Sequence, residues 1–195
     1  MIEIPNVNRV GLLMSGGIDS TMMAFLANKY FPNKEYFACI GIKNEKPDQL
    51  YRVQKILQYI GLIIPIITWN NTTQPGQRRG DIDRENRERV AKKYNIHCMI
   101  NGRNHLPKDP EFGVDEFTNN KRLKEVRTGK KPTLQWKGHY WHYRPFEYED
   151  KKYIIDLYYK YDLLELLNMT QSCHQSPPCE ECFNCKEKYW AYGSF

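Results

Sequence analysis

Short apolar runs alternate with amphipathic stretches through the first hundred residues, and that alternation limits the fold more than any other feature. The runs at 9–14, 36–42, 62–69 and 96–100 are each eight residues or fewer and rich in branched side chains, as expected of buried parallel strands. Between them, 19–30, 48–60 and 81–94 carry helical periodicity; Leu50, Val53, Leu57 and Ile60 recur at helical spacing. Met22, Phe25, Leu26 and Tyr30 are read as the apolar face of the first helix, and Gly61 as the stop of the second. Strand and helix in strict alternation imply an α/β fold with a parallel sheet flanked by helices, of Rossmann-like type. Pro65 suits an edge strand. A further strand is expected at 140–146 and helices at 150–159 and 162–167, whereas 104–140 shows no clear period.

At 195 residues, 41% hydrophobic and 13% aromatic, the chain can bury a core without disulfides, and disorder is excluded. No apolar run reaches the roughly 18 residues of a membrane helix. Residues 1–5 lack the pattern of a secretory signal, so a cytoplasmic protein is expected. The boundaries expected are an α/β domain over 1–168, with a basic insertion at about 104–140, and a cysteine-bearing segment over 169–195. The formal net charge is +6, and the stretch 121–137, with seven Lys or Arg and one Glu, accounts for all of it. That run is either a solvated loop or an anion-binding surface.

Two motifs carry chemistry. The first is Ser15-Gly16-Gly17-Ile18-Asp19-Ser20, placed between an apolar strand and a helix. Two glycines let the backbone turn tightly around an anion. The first N–H groups of the helix point at it and the helix dipole adds to the attraction. Met14 to Thr21 are therefore candidate phosphate-binding residues, with hydroxyls from Ser15, Ser20 and Thr21. No Lys follows the glycines, so this is not a GxxxxGK[ST] loop, and it is not GxGxxG either. The second motif is Cys173-x5-Cys179-x2-Cys182-x2-Cys185. Four thiolates so spaced make a closed tetrahedral Zn²⁺ site; an iron–sulfur cluster uses similar spacing. Cys39 and Cys98 lie in apolar runs and read as small core residues.

The SGGIDS loop resembles the SGGxDS signature of the PP-loop ATP pyrophosphatases. Combined with the four-cysteine segment, and with Pro145-Phe146, Asp150-Lys151 and Thr170-Gln171-Ser172-Cys173 in that order, it resembles the 7-cyano-7-deazaguanine synthase (QueC) family. Pro75-Gly76 and Gly102-Arg103-Asn104 echo that family's PGRN and GVN segments. Two segments depart from it: Ile42 to Lys46 replaces an aromatic-Gly-Gln-Arg-His stretch, and His105 to Phe112 replaces the substrate loop.

The resemblance implies ATP and Mg²⁺, with the adenine held near Ile40, Gly41, Ile42 and Gly102. It implies that Asp19, Ser20 and Lys151 serve catalysis, Lys151 by stabilising departing pyrophosphate unless it is a plain surface lysine. Arg78, Arg103 and Asn104 would meet an acidic substrate. The implied reaction adenylates a carboxylate, most simply that of 7-carboxy-7-deazaguanine, and converts it with ammonia to an amide and then a nitrile; a homodimer is implied as well. A second reading is a PP-loop tRNA-modifying enzyme that contacts RNA through 121–137 and adenylates or thiolates a base. A third is a nucleotide-binding protein without turnover.

Overall fold

The structure is a computed structural model. It describes residues 4–42, 46, 48–71, 79–105, 132–173, 175 and 177–194. Arg78 and most of the basic run, 121–131, lie outside them. Six strands form one sheet: β1 (Arg9–Leu13), β2 (Glu35–Ile42), β3 (Ile66–Asn70), β4 (Cys98–Asn101), β5 (Thr133–Trp136) and β6 (Trp141–Arg144). Their order is β3-β2-β1-β4-β6-β5. All pairings are parallel except β5 with β6. The helices are α1 (Ile18–Tyr30), α2 (Gln49–Tyr59), α3 (Arg79–Lys93), α4 (Lys151–Lys160), α5 (Leu164–Asn168) and α6 (Phe183–Tyr192).

The pleat sends alternate side chains to opposite faces. Val10, Leu12, Tyr36, Ala38, Ile40 and Tyr143 pack against α1, α2, α4 and α5 in the larger core. Phe37, Cys39, Ile67, Trp69 and Met99 pack under Val90 and Ala91 of α3 in the smaller. Burial on both sides explains why the parallel strands read as unbroken apolar runs. Gly11 belongs to the second face, where a Cβ would come within 3.2–3.4 Å of Cys39, Met99 and Ile96.

Several expectations hold and some are displaced. Gly61 ends α2 with φ +72°. The Gly61 N–H donates to Gln58 and the Leu62 N–H to Leu57, the paired bonds of a Schellman turn. That turn occupies the start of the expected third strand, so β3 begins at Ile66; it is the sheet edge, as Pro65 suggested. α1 is buried around most of its circumference, including Met23, Ala24 and Ala27. Tyr30 instead reaches the surface, 41% exposed, where its hydroxyl meets that of Tyr161. β5 and α6 were not foreseen. Among the described residues no helix is long and apolar enough to cross a membrane.

His142 on β6 is buried at 4% exposure and its Nε2 has no hydrogen-bond partner among the described residues. Burial, reinforced by Arg87, Arg144, Lys137 and Arg103, pushes its pKa down from 6.5 to about 3. The neutral ring is the folded form, so its stabilisation is complete above pH 6.5 and is lost as pH falls toward 3. Chemical denaturation at pH 7 and pH 4.5 should show wild-type stability falling more than that of His142→Phe; equal losses would refute this.

Candidate functional site

A cavity of about 1040 Å³ opens at the C-terminal ends of β1 to β4, the position where open parallel sheets bind ligands. The loop 14–20 forms one wall. Gly16 adopts φ +74°, a conformation glycine takes without strain. Gly17 is the N-cap of α1, and no side chain caps that helix; its first-turn amides therefore suit an anion. Ser20 Oγ receives the Ser15 N–H at 3.2 Å, meets Ser15 Oγ at 3.0 Å and donates to the Gly17 carbonyl at 3.2 Å. The Gly17 N–H donates in turn to Ser15 Oγ at 3.3 Å. The two serines thus fix the loop in a cradle before any ligand arrives.

Gly102, at the end of β4, presses on the same turn. A Cβ there would lie 2.6 Å from the Asp19 carbonyl oxygen and 2.8 Å from the Ser20 nitrogen, both backbone atoms. The absent side chain is what lets β4 approach α1 so closely.

Lys151 is not a surface lysine. Asp150 caps α4 by accepting the Tyr153 N–H at 3.0 Å, which makes Lys151 the first helical residue and turns its side chain inward. It is 3% exposed. Its ammonium donates to Asp19 Oδ1 and Oδ2 at 2.8 and 2.7 Å, and stands 3.1 Å from Glu187 Oε2. Burial opposes the charge, but the two carboxylates outweigh it and hold the pKa above the ordinary lysine range. Glu187 Oε1 accepts from Asn104 Nδ2 at 2.9 Å. Tyr158 on α4 donates to the Ile18 carbonyl at 2.8 Å, fixing α4 against the start of α1. The result is a buried, protonated lysine beside a phosphate-sized cradle.

Other expected residues are placed as follows. Met14, Ser15, Gly17, Asp19, Ser20, Gly41, Gly102, Arg103 and Asn104 all line the cavity. Asn104 is buried and engaged with Glu187, whereas Arg103 is exposed at the mouth. The side chains of Ile18, Thr21 and Ile40 point into the core. The carbonyls of Gly41 and Ile42 accept from Gln49 Nε2 at 3.4 Å and the Asn71 N–H at 3.0 Å. Trp69 and Asn71 also line the cavity and were missed by sequence reasoning. Each is at least 94% buried, and Trp69 Nε1 and Asn71 Oδ1 have no hydrogen-bond partner among the described residues. They offer one donor and one acceptor, a pattern that suits the edge of a heterocycle. Glu187 was missed as well, because between Lys186 and Lys188 it reads as a solvated charge.

The four cysteines converge. All four Sγ atoms lie within 4.8 Å of one another, with Cys173–Cys179 at 3.6 Å, Cys182–Cys185 at 3.6 Å and Cys173–Cys182 at 3.8 Å. A tetrahedral ion with thiolates at about 2.3 Å sets them about 3.8 Å apart. The set fits one mononuclear ion; a cubane, with its iron atoms at separate corners, needs its thiolates spread wider. The N–H groups of Gln175, Cys179 and Cys182 point at sulfur within 3.3–3.4 Å, and such contacts stabilise thiolates. Cys39 and Cys98 are fully buried. Burial pushes both thiols up to about 12, which disfavours the thiolate at neutral pH, although Cys39 borders the cavity.

No protein-family model matches the chain, and no curated protein matches its sequence. Solved structures do match. One is the U34-tRNA thiolase NcsA from Methanococcus maripaludis with its [4Fe-4S] cluster, at 21% identity and a TM-score of 0.60. The match covers 93% of this chain and 63% of that one, so the chain spans less than two thirds of the thiolase's length. What the two share is the fold: a mostly parallel α/β sheet flanked by helices, which here ends in a four-cysteine cluster.

Proposed function

We propose that this chain is a PP-loop ATP-using enzyme that activates an oxygen of a nucleobase in RNA by adenylation, as a tRNA-modifying enzyme. The observation that carries the ATP assignment is the ion pair of buried Lys151 with partly buried Asp19 beside the Ser15–Ser20 cradle. The choice of RNA is supported by the likeness of fold to a U34-tRNA thiolase over 93% of the chain. It is supported also by the sheet edge, where Trp136 is 51% exposed and lies 5.2 Å from Trp141, at the end of the basic run 121–137. Exposed aromatics next to cations suit stacking and phosphate contact.

In this reading the phosphates of ATP lie on residues 14–21. A base carbonyl oxygen attacks the α-phosphorus, the bond to the β,γ-pyrophosphate breaks, and the base becomes O-adenylated. A nucleophile then adds to the activated carbon and AMP leaves. Lys151 places a positive charge where negative charge grows on the departing pyrophosphate, and the cradle holds the reacting atoms in line. Mg²⁺ would supply further charge neutralisation, with Asp19 the carboxylate beside the cradle. The four thiolates would hold Zn²⁺ in a structural role, since four protein ligands leave no open position. Their raised thiol pKa makes Cys39 and Cys98 poor sulfur carriers, so in this reading the nucleophile is a co-substrate such as sulfide.

A second reading, conversion of 7-carboxy-7-deazaguanine to its nitrile with ammonia, is favoured by one specific observation. The Asp150-Lys151 and Thr170-to-Cys173 segments meet the loop in the order of the QueC resemblance, and the Gln171 N–H donates to the Gly16 carbonyl at 2.9 Å. One experiment separates the two. Mg-ATP is supplied with either bulk tRNA plus sulfide or 7-carboxy-7-deazaguanine plus ammonium, and AMP and products are followed by mass spectrometry. The main reading predicts AMP formation stimulated by tRNA. A nitrile formed without RNA would replace it with the second.

A further inference from the structure

We propose that the four-cysteine knuckle is a brace for the phosphate loop and that Glu187 is the positioning residue through which it acts. This rests on the reading that ATP's phosphates lie on residues 14–21, though the contacts themselves do not depend on it. The knuckle is tied to the loop at both of its ends. At its entrance the Gln171 N–H donates to the Gly16 carbonyl at 2.9 Å. Ser172 Oγ lies 3.4 Å from where a Cβ of Gly17 would stand, and the Ser172 carbonyl accepts from Lys46 Nζ at 3.2 Å. Cys173 follows directly. At its exit, α6 carries Cys185 and, two residues on, Glu187, each 3% exposed. Glu187 divides its carboxylate between Lys151 at 3.1 Å and Asn104 at 2.9 Å.

Helix α6 has ten residues and no side-chain N-cap bond. A helix that short is marginal by itself; its C-terminal half is held on α4, where Lys152 Nζ lies 4.2 Å over the Trp190 ring and the Tyr159 and Tyr192 rings lie 6.4 Å apart, and its first turn is held by the cysteines. Its N-cap is Cys182, and its first turn brings in Cys185. An ion on the thiolates therefore fixes the start of α6, α6 fixes Glu187, and Glu187 shares Lys151 with Asp19. Without the ion the first turn of α6 loosens while its second half stays on α4, so Glu187 loses its fixed place beside Lys151 and the ammonium is held mainly by Asp19. The brace makes presentation of Lys151 conditional on an occupied thiolate site.

The test is the accessibility of Lys151 to reductive dimethylation, mapped by mass spectrometry, with exposed Lys186 on α6 as internal reference. Three samples are compared: the metal-loaded protein, the chelator-stripped protein, and metal-loaded Glu187→Gln with its metal content verified. Glu181→Gln, on an exposed residue, is the control. In the loaded wild type and the control, Lys151 should label at least about tenfold more slowly than Lys186, as befits a buried, doubly paired ammonium. In the stripped protein and in Glu187→Gln the protection should fall by about tenfold. Glu187→Gln should also lower kcat for AMP formation with KM for ATP within about twofold, the split of a group that acts through another. Unchanged protection of Lys151 in metal-loaded Glu187→Gln would overturn the brace, even if the stripped protein simply unfolds. Changed protection with no ATP binding to the wild type would leave the brace standing and remove the phosphate reading instead.

Discussion

Replacing Lys151 by methionine should lower AMP formation from Mg-ATP by about 10²- to 10³-fold, the loss typical of one preorganised group that stabilises developing charge. Methionine approximates the stem and removes only the ammonium. The substitution has a second consequence, because it leaves Asp19 and Glu187 facing one another in a buried site. Removing one partner of a buried pair costs about 3–5 kcal/mol, so thermal melting has to show that the variant is folded at the assay temperature. Asp19→Asn separates the two effects. It relieves the carboxylate crowding and keeps the side-chain shape, yet takes from Lys151 the partner that holds it at 2.7 and 2.8 Å. The double variant Lys151→Met, Asp19→Asn should regain much of the melting temperature while staying inactive. A double variant that is both stable and active would remove Lys151 from the chemistry.

The second large effect is expected at the knuckle. Metal analysis of the protein should find about one zinc per chain, and Cys182→Ser should lose it. Loss of a structural ion from a chain of this size should lower the melting temperature by on the order of 10 °C. The same elemental analysis tests the nature of the centre, because iron with inorganic sulfide would contradict the single-ion geometry of the four sulfurs. Cys39 and Cys98 supply the internal contrast. Both have thiols pushed up to about 12; Cys98 should react with iodoacetamide at pH 8 only after denaturation, and Cys39, which borders the cavity, only slowly.

The parts of this fold that could be read from the sequence are those where burial is one-dimensional. β1, the glycine turn and α1 stand out because a two-face-buried strand is uniformly apolar and the turn needs two glycines in succession. α6 escaped notice because its buried positions are Cys185 and Glu187. Those residues are buried by a thiolate cluster and an ion pair, and neither leaves a trace in hydrophobic periodicity. β5 is hidden for the opposite reason. Leu134 and Trp136 on it are exposed, and its strand character comes from backbone pairing with β6. Asp19 and Lys151 were each visible as parts of motifs, but 132 residues separate them, and their contact is a product of α4 packing on α1. Asn104, expected to face a substrate, lines the cavity and is also the buried partner of Glu187, a contact no motif announces. Trp69 and Asn71 have no sequence signal; only the parallel register of β3 with β2 carries them to the cavity.

The central claim is that the Ser15–Ser20 cradle and Lys151 direct attack to the α-phosphorus of ATP. The most direct test is to incubate the metal-loaded protein with Mg²⁺, ATP labelled at the α-phosphate and the acceptor mixtures named above, and to separate the labelled nucleotides. Labelled AMP with one pyrophosphate released for each AMP, lost in Lys151→Met, is the predicted result. Labelled ADP with inorganic phosphate would place the attack at the γ-phosphorus and contradict the account.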